Sequence, residues 1–201
     1  MNREEKKQIM KDKITNTAIT LFGKQGYQFT SIDSISNLAG ISKGIVYHYF
    51  KDKDALYLHC VKICFDDMTQ YIKDNIKIYE SPKESIEKFL ELRHNFLSNN
   101  KQYKSIFYET LFGKPVHLKS QLNTIRSGLE SVNVEFCRQV ISNNQIKTSI
   151  SKEKVAYFFK ILINAVWLML EQKDIEEIND NFIENEEKNV VELLDIFFKG
   201  L

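Results

Sequence analysis

The sequence predicts an all-α protein, on three observations. Two prolines and seven glycines in 201 residues leave few helix breakers. Apolar residues recur mostly three or four positions apart, which is the spacing of one face of a helix. Breaker clusters punctuate this pattern at helix-length intervals: Gly23 to Tyr27, Ala39-Gly40-Ile41, Ser81-Pro82, Ser98-Asn99-Asn100, Gly113-Lys114-Pro115 and Ser142-Asn143-Asn144. These six breaks give seven segments, and two further helix ends, after Phe50 and after Leu170, bring the expected number to about nine helices. Three form an N-terminal helix-turn-helix domain over residues 1–53, and the rest form a helical body over residues 54–201.

The first helix is expected from Glu4 to Phe22, with Ile9, Ile14, Ala18, Leu21 and Phe22 facing inward and Gly23 to Tyr27 as the exit. Thr30 is placed to cap the second helix, with Asp33 three positions on completing a capping box. Ile32, Ile35 and Leu38 give that helix its apolar stripe. In Ala39-Gly40-Ile41, the small residue permits close approach, the glycine takes the left-handed conformation that ends a helix, and the isoleucine plugs the core. Ser42 then caps a third helix, Lys43 to Phe50, on which Val46 and Phe50 lie four apart and face inward.

A long fourth helix begins at Lys53 and carries Leu56, Val61, Ile63, Phe65, Met68, Ile72 and Ile76 toward Ser81-Pro82. Pro82 suits the start of a fifth, through Ile86, Phe89, Leu90, Leu92, Phe96 and Leu97. A sixth spans Tyr103 to Phe112 and a seventh Leu118 to Ile141. The eighth, Val155 to Leu170, is the most apolar. Val155, Phe158, Phe159, Leu162, Val166 and Met169 form one side, and Tyr157, Ile161, Ala165 and Leu168 the other. A helix apolar nearly all round is buried on more than one face. Two covers are open to it, a second subunit or the rest of a monomer. The ninth helix, about Ile183 to Phe198, offers Val190, Val191, Leu194, Ile196, Phe197 and Phe198 as its partner.

The chemistry concentrates in Thr30 to Lys53, which has no acidic residue between Asp33 and Asp52. Lys43, Gly44, Tyr47 and His48 fall on the face of the third helix opposite Val46 and Phe50, where they can meet a DNA groove. With no carboxylate in the first turn of that helix, its free amides, the Ser42 hydroxyl and Lys43 remain available to phosphate. Lys53 sits at a helix N-terminus, where the dipole disfavours a cation unless an anion such as phosphate is near. The charge is also divided. Residues 1–53 hold nine Lys/Arg against five Asp/Glu, a net +4, and the remainder hold nineteen against twenty-two, a net −3. A basic module on an acidic body suits nucleic-acid binding confined to one end.

Residues 13 to 56 resemble the DNA-binding domain of the TetR family of bacterial transcriptional regulators. The resemblance rests on Ile14, Ala18, Leu21-Phe22, Gly26, Thr30, Ile35, Ala39-Gly40, Ser42-Lys43-Gly44, Tyr47, Phe50, Lys53 and Leu56, with departures at Thr17, Ser36 and Tyr49. It implies double-stranded operator DNA as a partner, a small-molecule effector, and homodimerisation through the last two long helices, about 152–171 and 183–199, packed as a four-helix bundle. Thr30, Ser31, Ser42, Tyr47, His48 and Lys53 are expected at phosphates, with Gly44 allowing close approach. Lys43 and Ile45 are expected at base edges, Ile45 against a thymine methyl. By the same resemblance the body encloses an effector, with Arg93, His94, Phe96, Phe107, Glu109, His117, Arg126, Asn164 and Trp167 as candidate contacts. The expected function is a transcriptional repressor released by its effector.

No cofactor, metal or catalytic residue is expected. The chain has no GxxxxGK or HExxH sequence, and its GxSxG string, Gly40 to Gly44, joins two expected helices rather than the strand and helix of a nucleophile elbow. Cys60, Cys64 and Cys137 read as reduced core residues. The alternative, a metal or redox role for Cys60 and Cys64 with His59, requires a histidine that points about 100° away from Cys60 on a helix. With no apolar run near 18 residues and a charged start, MNREEKK, a cytoplasmic protein with no membrane span is expected. Two further readings are an enzyme and a helical interaction protein whose helix-turn-helix no longer binds DNA.

Overall fold

The computed structural model describes residues 2–112, 115–143, 150–171 and 180–199. Among these residues there are nine α-helices and one short 3-10 turn: α1 (Arg3–Phe29), α2 (Ile32–Ala39), α3 (Lys43–Tyr49), α4 (Lys53–Asn75), α5 (Pro82–Asn99), α6 (Lys101–Leu111), the turn Val116–Leu118, α7 (Lys119–Asn143), α8 (Lys152–Glu171) and α9 (Asp180–Lys199). The all-α expectation is borne out. The chain forms two compact units, one of residues 1–65 and 98–125, the other of residues 66–97 and 126–201.

In the first unit α1 starts on a capping box. Asn2 accepts from the Glu5 N–H while the Glu5 carboxylate accepts from the Asn2 N–H. The helix runs past the expected exit at Gly23 and kinks at Gly26, where φ is +74°. Gly23 lets it continue for a packing reason. A β-carbon there would lie 2.6 Å from the Gln102 Cα, so only glycine lets α1 lie directly on the α6 backbone. Ile14, Ala18 and Phe22 are buried as expected, but Ile9 is exposed because residues 2–9 project beyond anything that covers them. Leu38 is likewise exposed, and α2 is held by Ile32, Ile35 and Ala39.

Four corrections concern helix ends. The cap of α2 is Ser31 rather than Thr30. The Ser31 hydroxyl accepts from the Ser34 N–H, and the Ser34 hydroxyl accepts from the Ser31 N–H. Thr30 closes α1 instead, buried, its hydroxyl donating to the Gly26 carbonyl at 2.8 Å. Ser42 holds the N-cap position of α3 but makes no side-chain capping bond. Finally, α4 stops at Asn75, whose amide turns back to the Tyr71 carbonyl, well before Ser81-Pro82.

In the second unit Phe89 stacks on Phe136 at 4.4 Å and Tyr71 lies on Phe96 at 5.3 Å. The two C-terminal helices meet through Phe159, Phe197 and Phe198. Val155, Ala156, Phe159, Leu194 and Phe198 are buried, whereas Tyr157, Ile161, Leu193 and Ile196 stay exposed. The side chains of residues 163–170, on which much of the reading of α8 rested, lie outside the described residues.

Candidate nucleic-acid interface

The helix pair α2–α3 is joined by a tight turn. Gly40 adopts φ +63° and ψ +40°, its N–H donates to the Asn37 carbonyl, and the Ile41 N–H donates to the Ser36 carbonyl. These bonds satisfy carbonyls that a helix end otherwise leaves open. The turn sets the register of α3. Val46 is fully buried and Phe50 nearly so, with the Phe50 ring 5.3 Å from His59 and the Lys11 ammonium 5.9 Å above it. Lys43, Gly44, Tyr47 and His48 are therefore exposed together, as their spacing predicted, and Ile45 is half-buried.

Besides Thr30 and Ser31, whose hydroxyls are engaged at the helix ends, Lys43 and Lys53 also have internal partners. The Lys43 ammonium bridges to both Asp33 oxygens, at 2.9 and 3.0 Å, which draws its pKa up. Both groups are exposed, so water and ions weaken the pair and it is easily exchanged for another anion. The half-buried Lys53 donates to the Tyr27 carbonyl at 3.0 Å and lies 3.9 Å from the centre of the Tyr27 ring. The negative partner that its place at a helix start demands is thus supplied in part from within, by a carbonyl and an aromatic face. Ser31 and Ser42 are exposed; Thr30 is not.

The expected effector contacts are divided between the two units, with Phe107, Glu109 and His117 in the first and Arg93, His94, Phe96 and Arg126 in the second. Phe107 is core, 5.3 Å from Phe65. Phe96 is core against Tyr71. Arg93 and His94 are half-buried on α5, and Arg126 is buried on α7. The side chains of Asn164 and Trp167 lie outside the described residues.

Glu109 and His117 belong to a polar cluster at the start of α4 that sequence reasoning missed. The Glu109 carboxylate accepts from the Tyr27 N–H at 3.0 and 3.2 Å and from the Tyr57 hydroxyl at 3.0 Å. The Asp54 carboxylate accepts the Tyr27 hydroxyl and meets the His117 Nε2 at 3.0 Å. Desolvation, then the bond to Asp54, pushes the Tyr27 phenol well up, and burial does the same for Tyr57, so both remain donors. The Tyr27 hydrogen bond holds the Asp54 carboxyl below its usual range. Glu109 lies 82 positions from Tyr27, and no local pattern announces such a pairing.

The cysteines are buried. The Cys60 thiol lies 3.9 Å from the Thr15 carbonyl and that of Cys64 3.5 Å from the Tyr103 carbonyl, while the His59 ring faces Phe50. No group of three or more metal-binding side chains occurs among the described residues, and none of their helices is long and apolar enough to cross a membrane.

The sequence profile of bacterial regulatory proteins of the tetR family matches residues 14–60. The biofilm operon icaADBC HTH-type negative transcriptional regulator IcaR of Staphylococcus aureus (strain Newman) is 26% identical over 195 residues, covering 94% of this chain and 100% of that protein. Its Staphylococcus epidermidis counterpart is 28% identical over 162 residues, 81% of this chain and 80% of that one. Among solved structures, a transcriptional regulator from Cytophaga hutchinsonii superposes with a TM-score of 0.71 at 21% identity, over 93% of this chain and 95% of its own. The regulator FadR from Bacillus subtilis, in complex with stearoyl-CoA, gives 0.64 at 19%, over 90% and 96%.

Proposed function

The chain belongs to the tetR family of bacterial regulatory proteins and is a DNA-binding transcriptional regulator, not an enzyme, and from that premise we propose that it is a cytoplasmic repressor that binds a roughly palindromic operator as a homodimer and releases it when a small effector occupies the body. The observation that carries the DNA-binding part is the face of α3, where Lys43, Gly44, Tyr47 and His48 stand exposed over the buried Val46 and Phe50. Lys43 and Ile45 read base edges, Lys43 leaving Asp33 to do so. Ser31, Ser42, Tyr47, His48 and Lys53 hold phosphates, and Thr30 supports the α2 start from beneath. Residues 1–53 bind DNA, and 54–201 bind effector and dimerise.

The bare apolar surface of α8 and α9 supports the dimer. Tyr157 is 61% exposed, Ile161 46% and Ile196 67%, on helices with a buried Phe159–Phe198 seam at their other face. Two-fold symmetry demands two equal half-sites about 34 Å apart. The effector is a largely apolar or aromatic molecule, met by Arg93, His94, Arg126, Asn164 and Trp167. The stearoyl-CoA held by the fold relative FadR supports such a ligand for this architecture. Displacement of α4, continuous from Lys53 to Asn75, is the route by which the ligand tilts the reading helices. A coupling of about 1–3 kcal/mol suffices for a 5–150-fold change in operator affinity.

The test is footprinting upstream of the protein's own gene and its neighbours, followed by binding at several salt concentrations. Lys53→Ala is expected to weaken all sequences alike and reduce the salt slope by roughly one unit. A protein that protects none of this DNA would refute the regulator reading. A Lys53→Ala variant with altered sequence preference and an unchanged salt slope would refute the phosphate assignment. Titrating ligands while following Trp167 emission and operator affinity together tests the switch, which fails if a saturating ligand leaves DNA binding unchanged.

A further inference from the structure

We propose that Glu109 and His117 are positioning residues of the DNA-reading head, two arms of a clasp that closes on Tyr27 and Asp54 and makes operator affinity depend on pH through His117. The proposal rests on the DNA-binding reading above. Every residue in it belongs to the first compact unit.

The clasp answers a need created by the kink at Gly26. Positive φ there turns the next peptide out of the helical ladder, so the Tyr27 N–H needs another acceptor. Glu109 provides it, and from the same carboxylate also holds the Tyr57 hydroxyl of α4. Gly26 leaves the room: a β-carbon on it would stand 3.1 Å from the Glu109 Oε1. Tyr27 is thereby held at three points, its N–H by Glu109, its carbonyl by Lys53 and its hydroxyl by Asp54. It lies only four residues before Ser31, the cap of α2, and its carbonyl fixes the Lys53 ammonium at the start of α4. One residue thus sets both the entry to the reading pair and the cation that follows it.

His117 completes the second arm. The groups around it are Asp54 at 3.0 Å, the Tyr27 hydroxyl at 3.5 Å and the Tyr27 ring at 5.7 Å. The charged groups that act on Tyr27 and Asp54 are Lys53, Asp52, Asp54 and Glu109. Histidine changes charge between about pH 5 and 8. When neutral, His117 offers Asp54 one hydrogen bond at most. When protonated, it donates to Asp54 and cancels the charge of one of the two carboxylates that flank Lys53. Both effects favour phosphate at Lys53, so affinity rises as pH falls. For a half-exposed ion pair the expected size is about two- to fivefold.

The experiment uses the full chain and duplex DNA from the footprinted upstream region, with anisotropy at fixed ionic strength from pH 5.5 to 8.5. The measurement is the difference from wild type, which removes any pH slope common to all variants. Wild type is expected to gain about two- to fivefold more on acidification than His117→Gln. His117→Lys, which keeps the charge at every pH, is expected to match the acid-side affinity of wild type throughout and to show only the common slope. Glu109→Gln is expected to lose about three- to tenfold at every pH. Because His117 is exposed, its variants carry the test even if Glu109→Gln does not fold. A His117→Gln protein with the full wild-type slope overturns the clasp while wild-type binding preserves the regulator reading. A wild type that binds none of this DNA overturns that reading itself.

Discussion

Replacing Gly23 by alanine adds one methyl group where α1 lies directly on the α6 backbone. The new carbon would stand 2.6 Å from the Gln102 Cα, 2.7 Å from its Cβ and 2.8 Å from its carbonyl oxygen. Carbon atoms rest about 3.5–4.0 Å apart, so α1 and α6 must separate by roughly 1 Å, and a backbone cannot swing aside as a side-chain tip can. Overpacking of this kind costs about 1–3 kcal/mol. Against it stands the helix preference of alanine over glycine, worth about 1 kcal/mol. Gly128→Ala in α7 isolates the two effects, since its β-carbon would meet nothing within 4 Å. There only the propensity gain remains. The difference between the two variants is then the clash alone, about 1–3 kcal/mol, and each kcal/mol moves the midpoint of a chain this long by about 2–4 °C. Thermal melts by circular dichroism, at one fixed protein concentration because association shifts the midpoint, read this directly. Gly128→Ala should melt above wild type and Gly23→Ala clearly below Gly128→Ala. If the two variants melt together, the α1–α6 approach is not the constraint described.

Ile161→Glu together with Tyr157→Glu should shift the protein from dimer to monomer in sedimentation at micromolar concentration without lowering helix content, since both side chains are exposed in the protomer; a variant dimer as tight as wild type would place the subunit contact elsewhere. The thiols should resist reagents that need thiolate: desolvation pushes Cys137 up to about 12 and Cys60 further in the same direction, so at pH 8 both are protonated as well as buried. Native protein should therefore react with Ellman's reagent far more slowly than urea-unfolded protein, and equal rates would contradict the buried placement.

The parts of this protein that were legible in its sequence are those governed by short-range rules. Few breakers and a three-to-four apolar spacing determine the helices, because both act within one or two turns. The outward row Lys43, Gly44, Tyr47 and His48 follows from the inward pair Val46 and Phe50 by helix geometry alone. Gly40 announces its turn because few other residues take positive φ there without strain. Even so, a local rule can be satisfied by neighbours. Thr30 and Ser31 both carry a hydroxyl able to cap α2, and the choice fell to Ser31 because the Thr30 hydroxyl donates back to the Gly26 carbonyl at the kink. Tertiary structure alone decided what depends on residues far apart in the chain. Ile9 and Leu38 fit the apolar pattern yet stay exposed, since periodicity says which face could be covered and not whether anything covers it. Gly23 looked like a helix exit and is a contact site for α6. Nothing local in the sequence pointed Glu109 and His117 at Tyr27 and Asp54, because a part-buried N–H freed by a kink must find an acceptor wherever the fold brings one.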